Sequence, residues 1–390
     1  MKTVTATLRS AAAKLRRWLA VPTVPSGGRG LIVYPLDVNP YQGLLYEAVQ
    51  TADARYVVLY VRRHPGLGPV PFFVRVTLAR VRGFRLLHLH WPQFALHWDG
   101  RHLLRLSLVN ARVSLWWVRL LGIRLVWTVH NAIPHEPETA DDAAISRTLA
   151  RVAARKIVHS AETTEQLAGL GADTDRVAII PHGSYVASYS EAPRAQSRRE
   201  LGLPETARIV MFFGQIRPYK GVDDLVDAWE AVAAQEPGAP APFLLVVGRC
   251  DDEMSRDRLK RDTGRLGGRF DDGYVPHELL PLYFAAADVV ALPFRKLTTS
   301  GSAVLALSLG RPVLASRVGG LRDLPGEVGF FYEAGGLTDA LTRALTAPSS
   351  ELDERAEAAR RYAGRLSWDR IAAATLDVYE QAAAPDRVSR

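Results

Sequence analysis

Two successive series of short apolar runs, each run followed by a helical pattern, constrain this chain more than any other feature. The first series comprises Leu31-Ile32-Val33-Tyr34, Tyr56–Val61, Leu86–His90, Arg124–His130, Lys156–His159 and Val177–Ile180. The second comprises Arg208–Phe213, Phe243–Val247, Asp288–Leu292 and Pro312–Ala315. Such runs suit buried strands, and strands that alternate with helices pair in parallel, because a parallel neighbour needs a crossover. The polar stretch Tyr185–Arg199, broken by Pro193, separates the two series and is read as a linker. At 390 residues the chain exceeds one ordinary core and suits two domains. The expected fold is α/β: two facing Rossmann-like domains with parallel sheets and an interdomain cleft. The expected division is a basic tail or amphipathic helix over 1–29, an N-terminal domain over 30–190, a C-terminal domain over 205–365, and a helix over 366–390 that returns to the N-terminal domain. Open parallel sheets bind ligands at the carboxyl ends of their strands.

Charge is distributed unevenly along the chain. Residues 1–130 hold 18 Lys and Arg against four Asp and Glu, whereas the whole chain holds 49 against 41, so the remainder is mildly acidic. A basic half of this kind faces an anionic surface, such as a leaflet or a diphosphate-bearing substrate. Nucleic acid fits poorly, since the basic residues alternate with apolar helix positions and no recognition motif occurs. One cysteine, Cys250, excludes a disulfide framework and disfavours a cysteine-based zinc site. No apolar run approaches the roughly 20 residues that span a bilayer. Basic residues interrupt the apolar stretches of Met1–Val21, which argues against a signal peptide and leaves a frayed tail or an amphipathic surface helix.

Three segments carry chemistry. In Phe213-Gly214-Gln215-Ile216-Arg217-Pro218-Tyr219-Lys220-Gly221 a buried run ends at a glycine, and two cations precede a helix starting near Val222. Gly214 permits close backbone approach, the helix start offers N–H groups, and Arg217 with Lys220 supplies charge for a phosphate. The second segment, Thr298-Thr299-Ser300-Gly301-Ser302, stands ahead of an apolar helix that ends at Gly310; Ser300 and Gly301 suit a phosphate or sugar hydroxyls as well as a plain N-cap. The third is Val129-His130-Asn131 with Pro134-His135-Glu136, at a strand end where His130 or Glu136 could act as a base. Asp37 with Asn39, and His88, His90 and Trp91, belong to other strand ends of the same domain. A basic helix over about 103–121, with Arg112, Arg119, Trp116 and Trp117 and followed by Arg124, suits either a leaflet contact or an ordinary outer face.

On these residues the chain resembles GT-B glycosyltransferases of the family 4 type and their relatives. Gly214–Gly221 resembles their phosphate loop, and Asp272-Gly273-Tyr274-Val275-Pro276 their nucleobase-holding segment. Tyr283–Val289 and Gly310–Ser316 followed by Gly319-Gly320 resemble the segments flanking the donor loop, and Ser367-Trp368 opens a similar final helix. Two departures stand out. Leu297 and Leu305 occupy the places of the family's paired glutamates, and Gln215 that of its arginine, with Arg217 two positions on. Asn39-Pro40-Tyr41-Gln42, Val129-His130-Asn131 and Thr299-Ser300-Gly301 are more similar to relatives that add β-mannosyl units to lipid-linked exopolysaccharide precursors.

The resemblance implies a hexosyltransferase that uses a GDP- or UDP-sugar as co-substrate, with no cofactor and no metal. It implies a lipid-linked or saccharide acceptor and inversion in a single displacement, with His130, Glu136 and Asp37 as candidate bases. Gly214, Arg217, Lys220, Ser300 and Gly301 would hold the donor phosphates, and Tyr274, Val275 and Thr299 the base and ribose. Asn39, Tyr41, His90 and Trp91 would face the acceptor. The expected location is cytoplasmic, peripheral at the inner face of the plasma membrane. The missing glutamates keep two alternatives open, a non-catalytic partner of another transferase and a sugar-nucleotide epimerase.

Overall fold

The computed structural model describes residues 20–36, 40–62, 70–92, 107–133, 141–233 and 241–384. The chain divides into two compact units. Unit 1 takes residues 1–158, 163–180 and 369–390, and unit 2 takes residues 159–162 and 181–368. Each unit is built on one six-stranded sheet in which every pairing is parallel.

The sheet of unit 1 is formed by β1 (Arg29–Tyr34), β2 (Tyr56–Tyr60), β3 (Phe84–Leu89), β4 (Arg124–Thr128), β5 (Arg155–Val158) and β6 (Val177–Ile179), in the order β2-β1-β3-β4-β5-β6. The crossovers are α1 (Pro40–Ala52), α2 (Val70–Val81), α3 (Ser107–Leu120), α4 (Asp142–Val152) and α5 (Ala161–Gly169). The chain runs from β1 outward to β2 and then returns past β1 to β3, so strand order reverses between β1 and β3. A parallel α/β sheet opens a ligand crevice at such a reversal, beyond the carboxyl ends of the strands. The core here combines β1, β3 and β4 residues such as Ile32, Leu87 and Trp127 with Phe72, Val76, Leu115 and Leu149 from the helices.

Unit 2 repeats the plan with β7 (Ile209–Phe213), β8 (Phe243–Val247), β9 (Arg269–Asp271), β10 (Val289–Leu292), β11 (Val313–Ser316) and β12 (Gly329–Tyr332), in the order β12-β11-β10-β7-β8-β9. Its helices are α6 (Arg194–Glu200), α7 (Val222–Ala233), α8 (Glu253–Arg265), α9 (Leu280–Ala286), α10 (Gly301–Ser308), α11 (Leu337–Thr346) and α12 (Ser349–Arg365). Order reverses between β7 and β10, which places the Gly214 and Ser300 segments on adjacent strands at the crevice. The last helix, α13 (Trp368–Ala383), belongs from residue 369 onward to unit 1.

Two local expectations differ from the structure. The stretch read as an irregular linker carries α6, because Arg198 in it is wholly buried. Its guanidinium donates to the carbonyls of Ala286, Glu205 and Ala207 at 3.0, 2.7 and 2.9 Å and to Asp288 Oδ2 at 3.0 Å. Asp288 in turn accepts the Ile209 amide at 2.7 Å and also pairs with Arg194, so one carboxylate ties α6 to the starts of β7 and β10. The final helix begins at Trp368, close to the expected start at 366, after a break that follows Arg365. The strands β9 and β12 were not anticipated.

Removing one partner of a buried, hydrogen-bonded ion pair costs about 3–5 kcal/mol. Arg198→Ala should therefore lower unfolding free energy by about that amount in denaturant titration. A loss under roughly 1 kcal/mol, the value of an exposed pair, would show that the pair is not structural.

Candidate functional site

In unit 2 the candidate site is built from the turn after β7. Gly214 has φ +132°, and a Cβ there would lie 3.0 Å from Lys220 Nζ and 3.5 Å from Ser302 Oγ. The ammonium of Lys220 thus leans over bare backbone at the end of β7, close to the first turn of α10. Two features hold it there. Gly221 has φ +63°, and a Cβ at that position would lie 2.1 Å from the Pro293 carbonyl oxygen, so only glycine lets the turn approach the segment after β10. Arg295, from that same segment, pairs with both carboxylate oxygens of Asp224 at 2.7 and 2.6 Å and donates to the Pro218 carbonyl at 3.0 Å.

Arg217 is placed differently from its sequence reading, in which it joined Lys220. Its guanidinium lies 3.3 Å from Asp251, which also accepts from Arg249 at 2.7 Å and from Gln215 at 2.9 Å. The hydrogen bond from Arg249, foremost, holds the Asp251 carboxyl below the usual carboxylate range. Sequence reasoning missed Asp251 because it lies 34 positions from Arg217, and only the β7–β8 pairing joins them.

Ser300 uses its hydroxyl as the N-cap of α10, accepting the Ala303 amide at 3.0 Å. The amides of Gly301 and Ser302 fall in the first helical turn, beyond the reach of the helix's own ladder, and add a positive dipole end. Thr299 Oγ1 is buried without a hydrogen-bond partner among the described residues. Tyr274 projects its ring, 73 % exposed, with Val275 half-buried beside it. Leu297 and Leu305 are both buried, so the places of the family's two carboxylates are apolar packing here.

Unit 1 gathers its candidates around β1, β3 and β4. His130 is stacked on Trp91 at 3.9 Å between ring centroids and meets the edge of Tyr41 at 5.2 Å. His90 Nδ1 lies 3.2 Å from His130 Nε2. Behind them His88 contacts the hydroxyls of Tyr46 at 2.8 Å, Tyr379 at 2.7 Å and Thr128 at 2.7 Å. Burial, with His130 nearby, pushes the His88 imidazole down to about 3, and burial raises both phenols well above their ordinary value. His88 and His90 are thus both hydrogen-bonded to tyrosine hydroxyls. Asp37, Asn39, His135 and Glu136 lie outside the described residues, as does the segment 1–19.

A third feature of unit 1 lies at the amino end of β4. A groove of about 500 Å³ is lined by Arg112, Arg119, Arg124, Arg151, Arg176 and Trp116, with no carboxylate among its described lining residues. Trp116 is 59 % exposed, whereas Trp117 turns inward and donates its indole N–H to Thr77 at 3.0 Å. Only one of the two tryptophans read as surface contacts therefore faces outward. Among the described residues no helix is long and apolar enough to cross a membrane.

The two parallel sheets are those of the GT-B fold, and the relatives of the chain show it to be a glycosyltransferase. The chain overlays the crystal structure of Anabaena Alr3699/HepE in complex with UDP with a TM-score of 0.69 at 19% identity, over 90% of this chain and 99% of that one. Residues 207–347 match the family described as Glycosyl transferases group 1, so unit 2 carries that family's domain. A D-inositol 3-phosphate glycosyltransferase of Nocardia farcinica is 28% identical over 375 residues, covering 93% of this chain and 78% of the relative. A GDP-mannose:glycolipid 4-beta-D-mannosyltransferase of Xanthomonas campestris pv. campestris is 28% identical over 333 residues, covering 82% and 84%.

Both His88 in unit 1 and His182 in unit 2, whose Nδ1 lies 2.8 Å from the Gly183 carbonyl, are buried imidazoles held near 3. An unfolded histidine titrates near 6.5. The unfolded chain therefore binds the extra proton first, and stability is complete above about pH 6.5 and lost as pH falls toward 3. Each histidine contributes a slope of roughly 1.4 kcal/mol per pH unit inside that window. Urea midpoints measured from pH 7 to 4.5 should fall, and His88→Gln should remove one proton from the uptake on unfolding. An unchanged slope would show that His88 charges in the fold.

Proposed function

We propose that unit 2 binds the diphosphate of a GDP- or UDP-sugar, and that the enzyme transfers the hexose to a lipid-linked or saccharide acceptor in polysaccharide or glycolipid assembly. The observation that carries this reading is the convergence of the Lys220 ammonium, the Ser302 hydroxyl and the first turn of α10 on the backbone at Gly214. Negative charge grows on the departing diphosphate as the sugar bond breaks, and fixed positive groups at that point stabilise it. Arg217, paired with Asp251, orders the neighbouring loop, and Tyr274 offers an exposed ring to a base. No metal is required in this scheme, because the protein's own cations take the charge.

The apolar packing of Leu297 and Leu305 favours a single displacement with inversion. His130, Glu136 and Asp37 are the candidates to take the acceptor's proton, and His130 is the one within the described residues. Tyr41, His90 and Trp91 surround it, which supports an acceptor role for this strand edge of unit 1. The mannose reading is supported by the glycolipid mannosyltransferase among the relatives.

The arginine groove supports a peripheral seat on an anionic leaflet, on the cytoplasmic side where nucleotide-sugars occur. Five guanidinium groups and an exposed indole suit phosphate headgroups and the interfacial region of a bilayer.

Two measurements test these readings. A charged hydrogen bond contributes about 1.5–3 kcal/mol, so Lys220→Ala should weaken nucleotide-sugar binding about 10- to 100-fold in calorimetry while the circular dichroism spectrum stays unchanged. Equal affinity in the variant would remove Lys220 from the donor site. For the leaflet, each basic residue near an anionic surface contributes about 1 kcal/mol. The pair Arg119→Ala and Arg151→Ala should reduce co-sedimentation with phosphatidylglycerol vesicles by roughly 30-fold, with phosphatidylcholine vesicles as the blank. Undiminished sedimentation would move the contact elsewhere.

A further inference from the structure

We infer that α3 inserts an apolar stripe, Val109, Val113, Trp116 and Leu120, into the acyl boundary of an anionic leaflet, with Arg112 and Arg119 bracing it at the headgroups. Insertion presupposes the leaflet seat proposed for the arginine groove. It adds to that ionic contact an apolar one that salt does not weaken.

For a surface helix, α3 is inside out. Its inward face carries Ser107, Asn110 and Ser114, all buried, beside Ala111, Leu115 and Val118. Its six exposed residues are Val109, Arg112, Val113, Trp116, Arg119 and Leu120, so the outward face shows four apolar side chains and two guanidinium groups. The four apolar side chains are 45 to 60 % exposed. At about 100° per residue, steps of four, three and four positions align them within an arc of about 60° along the helix, and Arg112 and Arg119 flank that arc on one side. A helix facing water turns its polar residues outward and buries its apolar stripe. Apolar side chains scattered singly over a surface need no explanation, but a continuous outward stripe marks a contact.

Packing fixes the stripe before any partner arrives. Trp117, next to Trp116, donates to Thr77 of α2 at 3.0 Å and meets the edge of Phe73 at 6.1 Å between ring centroids. Arg80, near the end of α2, donates to the Leu121 carbonyl at 2.6 Å. Arg151 and Val152, both exposed at the end of α4, continue the mixture of basic and apolar groups across the groove that Trp116 also lines.

Charge selects the occupant. No carboxylate lines the groove among its described residues, so a second copy of this face would set guanidinium groups against guanidinium groups. A leaflet takes both halves of the surface. Its phosphates accept from the guanidinium groups, the indole lies at the interface, and the valines and leucine reach the first methylenes below. Arg112 and Arg119 can lay their own methylenes along the stripe and keep their charged ends among the phosphates.

The test measures co-sedimentation of the full-length protein with vesicles of equal parts phosphatidylglycerol and phosphatidylcholine, at low salt and at about 1 M NaCl, where the screening length falls to about 3 Å. Wild type should keep measurable binding in high salt. Each buried methylene favours transfer out of water about fourfold, so Val113→Ala with Leu120→Ala should weaken partition at least about tenfold at both salt concentrations. Both side chains already face solvent, so the urea midpoint of this variant should match wild type. A second readout uses vesicles with brominated acyl chains, which should quench a part of the tryptophan emission that Trp116→Phe lacks. Equal partition by the Ala variant, or quenching that does not depend on Trp116, overturns insertion. Wild-type binding at low salt that vanishes in high salt also overturns insertion, and leaves the ionic seat standing. No binding at either salt removes the leaflet seat together with insertion. A lipid-free dimer in analytical ultracentrifugation that dissociates in the Ala variant gives the stripe to a second copy and overturns the proposal.

Discussion

The candidate donor site depends on a cation held against backbone. Lys220 Nζ occupies space that any side chain at position 214 would contest, and it sits close to Ser302 in the first turn of α10. An ammonium beside a helix N-terminus is electrostatically unfavourable, since both are positive. The protein maintains the arrangement by geometry. Gly221 lets the turn press against the Pro293 carbonyl, and the Arg295–Asp224 pair clamps the turn to the segment after β10. Positive groups assembled at a structural cost become stabilising once an anion lies among them. That is the physical content of a phosphate site, and it makes the β7–β10 reversal of strand order matter for function.

The two units apply different physics to their strand ends. Unit 2 presents fixed charges, with Lys220 over Gly214 and the cluster of Arg217, Arg249 and Asp251 beside it. Unit 1 presents a neutral, dehydrated chain of imidazoles and phenols, with His88 driven down to about 3 by burial. Charge density suits a diphosphate. A dehydrated, uncharged network suits an uncharged hydroxyl. The division matches a transferase that handles an anionic donor and an uncharged nucleophile.

Much of the fold was legible in the sequence, because strand-length apolar runs and the helices after them have strong periods. The stretch before β7 was misread because the burial of Arg198 depends on Asp288, 90 positions away, and no local pattern reports such a partner. The backbone of the candidate donor loop was legible through Gly214, Gly221 and the capping Ser300, since each residue type carries its own backbone requirement. The pairing of Arg217 with Asp251 was not, nor was the contact of His88 with Tyr379, 291 positions apart. Trp116 and Trp117 read alike in sequence, and packing alone sends one outward and the other to Thr77.

The most direct test of the central claim is a crystal structure with a nucleoside diphosphate bound. The account predicts the pyrophosphate seated at Gly214, with Lys220 Nζ and the amides of Gly301 and Ser302 within hydrogen-bond distance of its oxygens. A nucleotide bound away from the carboxyl ends of β7 and β10, or one whose phosphates touch neither Lys220 nor α10, would contradict it.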